Sequence, residues 1–323
     1  MERSPACEKD VAAALRTTLN WKAPGRDQIA NFWLKQHTAT HKHIAALFNK
    51  FIEEDQIQEW LTAGVTFLIP KNENNENQKN YRNMACLPTI YTLMTTIISR
   101  RMQKYIDDEN LMPKEQKGCC SGSKGCKDQL LISKAILQEC KRREKKLCMA
   151  WIDYQKAFDR VPHSWIINSL ELIGIHKKVI SFTKTVMSYW ITCMHLHTEN
   201  TLIETEDINT KCGTFQADSL SPLLFYICLI PITEQLNRLK TGYEEHTTKT
   251  KISHILYVDD LKLIAKSEEE LQKQIQTVKT VSDDIHMEFV LGKCAKTAFK
   301  RQTGSLAKFS DRYQQRNTRA STG

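Results

Sequence analysis

Residues 251–265 read KISHILYVDDLKLIA, and this stretch decides the fold. Two runs of apolar, β-favouring residues, 252–258 and 261–265, meet at the adjacent acids Asp259 and Asp260. Because a strand buries one of any two neighbouring side chains, we interpret the acids as the tip of a hairpin, from which both carboxylates project. Aspartate is also common in ordinary turns, so the pair by itself favours a purely structural role.

A second acid, Asp153, follows the apolar run LCMAWI at 147–152, which predicts a buried strand. If the two strands are neighbours in one sheet, Asp153 and Asp259 meet at its edge. Clustered carboxylates repel one another and call for a divalent cation. Mg²⁺, with Mn²⁺ as the alternative, is typically held by a few carboxylates together with substrate phosphates. Two such ions can activate a 3′-hydroxyl and stabilise the leaving pyrophosphate, which is nucleotidyl transfer.

The rest of the chain alternates helical and strand patterns without an internal repeat or long linker before residue 290. Helical periodicity is predicted over 8–19, 29–53, 89–107, 127–144, 162–172, 177–190, 223–239 and 267–282. Strands are predicted at 64–70 and 147–152, and a hairpin over 193–210. This mixture predicts an α/β or α+β protein.

Composition limits the possible classes of protein. The 323 residues are 41% hydrophobic and 26% charged, which excludes a disordered, collagen-like or coiled-coil chain. The net charge of +9 raises the expectation of a nucleic-acid partner. It is concentrated in residues 117–146, with a net charge of +6, and in 300–323, with +5. The second segment lacks periodicity and predicts a disordered basic tail.

Cysteine usage predicts an intracellular protein in the nucleus or cytoplasm. There are eleven cysteines, an odd number, and the start MERSPACEKD has no apolar signal-peptide core. The longest apolar run, 223–232, is about half of what a membrane span needs, so no membrane partner is expected.

A zinc site is not expected from the sequence. Cys119, Cys120 and Cys126 are close in sequence, but no C-x₂-C pair exists. The pairs His41/His43 and His195/His197 lack a partner pair at a suitable spacing. We therefore interpret these groups as isolated thiols and surface histidines.

Eight motifs follow one another along the chain: WKAPGRDQI, LTAGVTFLIPK, NYRNMACLPTIY, EQKGCCSGSKGCKDQLL, WIDYQKAFDRVPHSW, FQADSLSPLLF, YVDDLKL and GKCA. In this order they resemble the reverse transcriptase domain of non-LTR (LINE-type) retrotransposons, from about Trp21 to Cys294. The resemblance implies an α+β fold with the fingers and palm of a right-hand polymerase, the palm being an antiparallel sheet backed by helices. The chain ends 63 residues after Asp260, so a largely missing thumb and a truncated or decayed copy are expected.

The resemblance also implies a function and a domain layout. The function is RNA-directed DNA polymerisation on an RNA template and DNA primer with deoxynucleoside triphosphates; the alternative is a catalytically inactive nucleic-acid-binding remnant. Residues 1–60 are predicted as a helical extension, 61–299 as fingers and palm, and 300–323 as the tail. No oligomeric state follows from the sequence.

Site residues are carried over from the motifs. Asp153, Asp259 and Asp260 match the catalytic, metal-binding carboxylates. The nucleotide-binding positions are Lys71, Arg82, Phe158 and Gln216, and the template-contacting positions are Lys124, Gly125 and Lys127. A lysine and an arginine fork suit phosphate oxygens, although without the resemblance Lys71 and Arg82 would be ordinary solvated charges.

Three matched positions have competing interpretations. Phe158 aligns with the aromatic that crowds the 2′ position of the incoming sugar, and core packing is an equal alternative. Lys293 lies near the position of a lysine that protonates pyrophosphate, but a surface lysine is favoured. Asp159 is interpreted as holding the loop after the strand.

The chain departs from the family pattern at several motifs. Gln-Gly-Asp-Ser has become 216–219 QADS, and Pro-Asp-Gly has become 26–28 RDQ. Tyr-Arg-Pro-Ile has become 81–84 YRNM, and an acid is replaced by Gly292. Because glycine allows a positive φ or close backbone approach, Ala217 predicts weakened nucleotide or template handling.

Overall fold

The computed structural model describes residues 4–71, 80–118, 123–197, 201–247 and 249–299, together with the backbone of 304–308. The helices are α1 (Glu8–Arg16), α2 (Asn31–Gln36), α3 (His41–Glu54), α4 (Glu59–Thr62), α5 (Thr89–Asp108), α6 (Cys126–Arg142), α7 (Ala157–Arg160), α8 (His163–Leu172), α9 (Lys177–Ser188), α10 (Ser221–Arg238) and α11 (Glu268–Asp284). A short 3₁₀ helix, Thr38–Thr40, precedes α3.

The strands are β1 (Ala63–Pro70), β2 (Tyr81–Cys86), β3 (Leu147–Ile152), β4 (Ile191–His197), β5 (Leu202–Glu204), β6 (Ile208–Asn209), β7 (Tyr243–Glu244), β8 (Lys251–Ile252), β9 (His254–Tyr257), β10 (Asp260–Ala265), β11 (Ala295–Phe299) and β12 (Gly304–Lys308). Two compact units divide them, and each is made of two separate stretches of chain. The first unit comprises 1–109 and 161–227, and the second comprises 110–160 and 228–323.

The first unit contains a mixed sheet in the order β2-β1-β4-β5, with β6 also on β4. β1 runs parallel to β4 and antiparallel to β2. The hairpin predicted over 193–210 is confirmed, since β4 pairs antiparallel with β5 and β6. Residues 1–60, predicted as an extension, lie in this unit, where α1 packs on α3 and α5.

One strand of this sheet was not predicted. The sequence pattern predicts no strand over 81–86, but these residues form the edge strand β2, paired with β1 from Val65 to Pro70. Its side chains alternate between half-buried and exposed over 81–84, as expected of an edge strand whose outer face is solvated. Arg82 and Met84 occupy that outer face, and Tyr81 and Asn83 lie half-buried on the other.

The second unit contains an antiparallel sheet in the order β12-β11-β3-β10-β9. β3 has the bounds predicted from sequence, and its apolar run is buried except for Trp151. Helix α11 packs against β3 and β10, which confirms the predicted antiparallel sheet backed by helices. Ser267 caps α11 by accepting the N–H of Glu270, and acids occupy the first turn, as the helix dipole favours.

Strand β12 lies inside the segment 300–323 that the sequence predicts as a tail. Its backbone pairs with β11 from Gly304 to Lys308, so this part of the segment is not disordered; the residues around it lie outside the described part of the chain. Among the described helices, none has the length and apolarity needed to cross a membrane.

Candidate active site

The Tyr-Val-Asp-Asp motif forms a tight hairpin between β9 and β10. Tyr257 pairs with Asp260, which leaves Val258 and Asp259 as a two-residue turn. Two-residue hairpins need a positive φ at the first turn position, and Val258 has φ +60°. A β-branched residue rarely adopts this conformation, and such backbone strain is concentrated at functional sites. The turn directs the acid pair to one end of the sheet.

Asp153 reaches the same end of the sheet. β3 and β10 are antiparallel neighbours in which Ile152 pairs with Leu261, so the next residues in register are Asp153 and Asp260. The predicted adjacency of the two acid-bearing strands is therefore confirmed. Asp153 is further fixed by its backbone, because its carbonyl accepts the N–H of Val290 at 2.8 Å.

The carboxylates at this end of the sheet influence one another electrostatically. The pKa of Asp259 is raised, first by burial and then by the charges of Asp260 and Asp153. The pKa of Asp260 is raised by burial and by Asp153. Lys293 opposes both shifts, and its Nζ lies 3.1 Å from a carboxylate oxygen of Asp153. The lysine judged from sequence to be a surface residue is thus an ion-pair partner of the candidate site.

These three residues fit a hard divalent cation, because they offer carboxylate oxygens and carry mutual repulsion that a cation would relieve. They are not drawn together as tightly as bound ligands would be. Within the described residues, the one three-residue set whose ligand atoms all lie within 4.8 Å of one another is elsewhere, on β4 and β5. Binding at the aspartates therefore requires the side chains to converge, with Lys293 displaced from Asp153.

Two glutamines that the sequence did not single out hold the hairpin. The Gln116 side-chain oxygen accepts the N–H of Val258 at 3.3 Å and that of Gly118 at 2.9 Å. The Gln129 amide donates to the Leu256 carbonyl. Gln116 is buried, whereas a polar residue in a sequence is normally expected at the surface. Only the packing of the segment 115–117 alongside β9 reveals its role.

The predicted template-contacting residues lie at the start of α6. Gly125 is the N-cap of this helix with φ +62°, and a Cβ there would lie 3.2 Å from the Tyr257 ring. Lys124 and Lys127 are exposed on either side of it. The glycine thus has a clear structural role, namely close packing against the hairpin, while the lysines are available to an anionic ligand. Cys119, Cys120 and Gly122 lie outside the described residues.

Phe158 is half-buried in the short helix α7, a position compatible with both core packing and contact with a sugar. Asp159 donates its backbone N–H to the Lys156 carbonyl at 2.9 Å, in a turn that follows β3.

The remaining predicted nucleotide-binding residues belong to the first unit. Lys71, at the end of β1, is exposed and donates its backbone N–H to the Asn80 carbonyl at 2.7 Å. Arg82 is exposed on β2, and the Gln216 carbonyl accepts the N–H of Ala85 on the same strand at 3.1 Å. The structure therefore joins the segment at Gln216 to the strand that carries Arg82.

A buried acid anchors the segment after Gln216. The Asp218 carboxylate accepts the Thr95 hydroxyl at 2.6 Å, and Ser219 is hydrogen-bonded to Thr96 at 2.8 Å, both from α5. Burial raises the pKa of Asp218 to about 6, although the bonds from Thr95 and from backbone N–H groups lower it. Asp218 was not predicted as important, because an aspartate before a helix start normally indicates a solvated cap.

Two departures from the family pattern fall on strained backbone. Ala217, where the pattern has glycine, has φ +81°. Gln28, which also replaces a glycine, has φ +52°. Both positions retain a conformation that favours glycine although the glycine is gone. Asp27 beside Gln28 retains a structural role, since its carboxylate accepts the N–H of Thr89 at 2.6 Å and caps α5.

This combination of an antiparallel sheet with three carboxylates at one end defines a polymerase-type palm, and comparison with known proteins identifies the class. Residues 69–317 match the family model described as reverse transcriptase (RNA-dependent DNA polymerase). The match covers about three quarters of the chain, and the chain belongs to the reverse transcriptase family. More narrowly, it is a reverse transcriptase domain of the non-LTR retrotransposon type, as its relatives show.

Two of these relatives are proteins of mobile elements. The Pol polyprotein of the type-1 retrotransposable element R2 from Nasonia vitripennis is 24% identical over 253 residues, covering 78% of this chain and 23% of the relative. The uncharacterized 149 kDa protein of transposon TX1 from Xenopus laevis is 22% identical over 275 residues, covering 84% of this chain and 20% of the relative. This chain thus spans about a fifth of their length.

A solved structure shows the same fold. Apo telomerase from Candida tropicalis, truncated from its C-terminal domain, is similar with a TM-score of 0.53 and 12% identity. The similarity covers 82% of this chain and 60% of the telomerase chain. The predicted α+β fingers-and-palm class is thereby confirmed.

Proposed function

We propose that this chain is an RNA-directed DNA polymerase domain that extends a DNA primer on an RNA template. The observation that carries the proposal is the pairing of β3 with β10, which brings Asp153 to the same end of the sheet as Asp259 and Asp260. These residues would hold Mg²⁺ or Mn²⁺. When bound, two such ions lower the pKa of the primer 3′-hydroxyl and stabilise the leaving pyrophosphate.

The other predicted residues receive roles from the family resemblance. Lys71 and Arg82 would bind triphosphate oxygens, and Gln216 would contact template and incoming nucleotide. Phe158 would exclude a 2′-hydroxyl and so favour deoxynucleotides. Lys293, next to Asp153, would release that carboxylate when a cation binds and could then give a proton to pyrophosphate.

Primer extension tests this function. The chain is incubated with an RNA template, a labelled DNA primer, deoxynucleoside triphosphates and Mg²⁺. Asp259→Asn removes a metal ligand with little change of shape and should lower extension by at least about a hundredfold, since the carboxylate charge is lost. Asp284→Asn, an exposed acid at the end of α11, is the matched control and should retain activity. Extension unaffected by Asp259→Asn would refute the assignment.

A second candidate, nucleic-acid binding without catalysis, is favoured by the strained Ala217 and Gln28. It predicts salt-sensitive RNA binding that is equal in the parent chain and in Asp259→Asn, with no nucleotide incorporation by either. Filter binding at several salt concentrations beside the extension assay distinguishes the two candidates.

A further inference from the structure

A thiol, an imidazole and a carboxylate converge on one face of the sheet in the first unit. Cys193 and His195 are two residues apart on β4, so they lie on the same face of the strand. Glu204 on β5 pairs directly with His195, which puts its side chain on that face as well. Their ligand atoms all lie within 4.8 Å of one another.

The distances agree with those in a tetrahedral zinc site. The Cys193 Sγ lies 3.4 Å from the His195 Nε2, which lies 3.1 Å from a Glu204 carboxylate oxygen. With bonds of about 2.3 Å to sulfur and about 2.0 Å to nitrogen or oxygen, neighbouring ligand atoms of a tetrahedral zinc ion are about 3.3 to 3.5 Å apart. An ion could therefore bind with only small side-chain movements.

The surroundings fix the ligands. Cys193 is buried, and the His195 ring packs edge-on against Phe67 of β1 with ring centroids 5.3 Å apart. The Arg26 guanidinium interacts electrostatically with Cys193 and donates a hydrogen bond to Asp207 at 3.0 Å. The charges also balance, because Zn²⁺ neutralises one thiolate and one carboxylate while Arg26 is paired with Asp207.

We infer that Cys193, His195 and Glu204 form a zinc site that joins β4 to β5, with a water as fourth ligand. A thiolate with an imidazole favours Zn²⁺ over Mg²⁺, which prefers oxygen ligands. The sequence did not predict the site, because the His195/His197 pair has no second pair of ligand residues at a suitable spacing. The actual partners are the cysteine two residues earlier and a glutamate that only strand pairing brings near.

Metal binding by the full chain tests the inference. Protein freed of metal by a chelator and dialysis is titrated with Zn²⁺, and bound zinc per chain is measured by mass spectrometry. One equivalent should bind. Co²⁺ in its place should give a thiolate-to-cobalt charge-transfer band in the near ultraviolet, which requires a cysteine ligand.

Matched variants locate the site. Glu204→Gln should weaken zinc binding at least about tenfold, whereas Glu206→Gln, an exposed glutamate two residues further on, should bind as the parent does. Cys193→Ser should abolish the cobalt charge-transfer band, and the exposed Cys212→Ser should retain it. Asp259→Asn should also retain it, which separates this site from the candidate active site.

Two results would overturn the inference. One is a chain that retains no zinc and shows no charge-transfer band, which would leave His195 and Glu204 as an ordinary ion pair. The other is a Glu204→Gln variant with parental zinc affinity. Because Cys193 is buried and its replacement can impair folding, the exposed Glu204/Glu206 comparison decides if the cysteine variant is unfolded.

Discussion

At the scale of single residues, backbone conformation reveals strain at two positions. Ala217 and Gln28 have positive φ values of +81° and +52° where the family pattern has glycine. A non-glycine residue in the left-handed region costs about 1–2 kcal/mol. The chain has thus lost stability at two motifs while retaining all three candidate catalytic carboxylates.

Restoring glycine should therefore stabilise the protein. We expect Ala217→Gly to raise the free energy of unfolding by about 1 kcal/mol, because relief of strain outweighs the extra freedom of glycine in the unfolded chain. Urea denaturation followed by circular dichroism measures it. Ala135→Gly, on the exposed face of α6, is the control of opposite sign and should destabilise by about 1 kcal/mol. If both variants lose the same free energy of unfolding, position 217 is not strained.

Asp218 should make stability depend on pH. Burial raises its pKa to about 6, above an unfolded value of about 3.9. The folded state favours the protonated form of Asp218. Its contribution to the free energy of unfolding is therefore fully present below about pH 4 and is lost as pH rises through about 6. Asp218→Asn keeps the acceptor for Thr95 but cannot ionise, so it should be more stable than the parent at pH 7 by roughly 2–3 kcal/mol.

Denaturation midpoints of the parent and Asp218→Asn between pH 4 and pH 8 check this expectation. The two curves should converge at the acid end and separate as pH rises. Asp284→Asn removes one exposed carboxylate and, as a surface change, should stay within about 0.5 kcal/mol of the parent. A parent-like pH profile for Asp218→Asn would contradict the argument.

At the scale of elements, the start of α6 and the β9–β10 hairpin fit each other closely. Gly125→Ala places a Cβ 3.2 Å from the Tyr257 ring on a backbone with φ +62°. We expect a loss of about 1–3 kcal/mol in unfolding free energy, together with reduced primer extension, because the hairpin that carries Asp259 must shift. Thermal unfolding and the extension assay measure the two effects.

Gly292→Ala is the matched control for that substitution. A Cβ at Gly292 meets nothing within 4 Å, so the change should alter stability by less than about 0.5 kcal/mol. If both alanine variants behave alike, close packing at Gly125 is not the reason for its glycine.

Elements with strong apolar patterns could be predicted from sequence, and those defined by pairing could not. The bounds of β3 were predicted because 147–152 is an uninterrupted apolar run. β2 was missed, because an edge strand shows only a weak alternation and needs β1 to define it. Among candidate site residues, Asp153 and the acid pair were predicted from local sequence. Gln116 acts through Val258, which is distant in sequence, and no local pattern indicates that contact. Glu204 lies in the predicted hairpin, but only the strand register shows that it pairs with His195.

At the scale of the whole molecule, the net charge of +9 is unevenly distributed. The end of α6 and the turn after it, residues 141–146, are exposed and carry five basic residues against one acid. If this surface binds nucleic acid, affinity must fall steeply with salt, because bound cations are released from the phosphates.

Charge reversal tests whether residues 141–146 contact nucleic acid. Lys141→Glu, Arg142→Glu and Lys146→Glu together should weaken RNA binding and reduce the slope of log affinity against log salt by about 2, at about 0.7 per lost phosphate contact. Lys9→Glu, Lys42→Glu and Lys50→Glu reverse three exposed charges in the first unit and serve as the control. Fluorescence anisotropy of a labelled RNA provides the affinities. Equal slopes for the two triple variants would show that residues 141–146 do not bind the template.

The position of β3 in its sheet has a consequence for synthesis of the chain. β3 lies between β10 and β11, which begin at residues 260 and 295, more than a hundred residues after β3 itself ends. At about 5–20 residues per second, the ribosome needs on the order of ten seconds to produce the first of these partners. Throughout that interval the nascent strand that leads to Asp153 is an apolar segment with open edges, a natural binding site for chaperones.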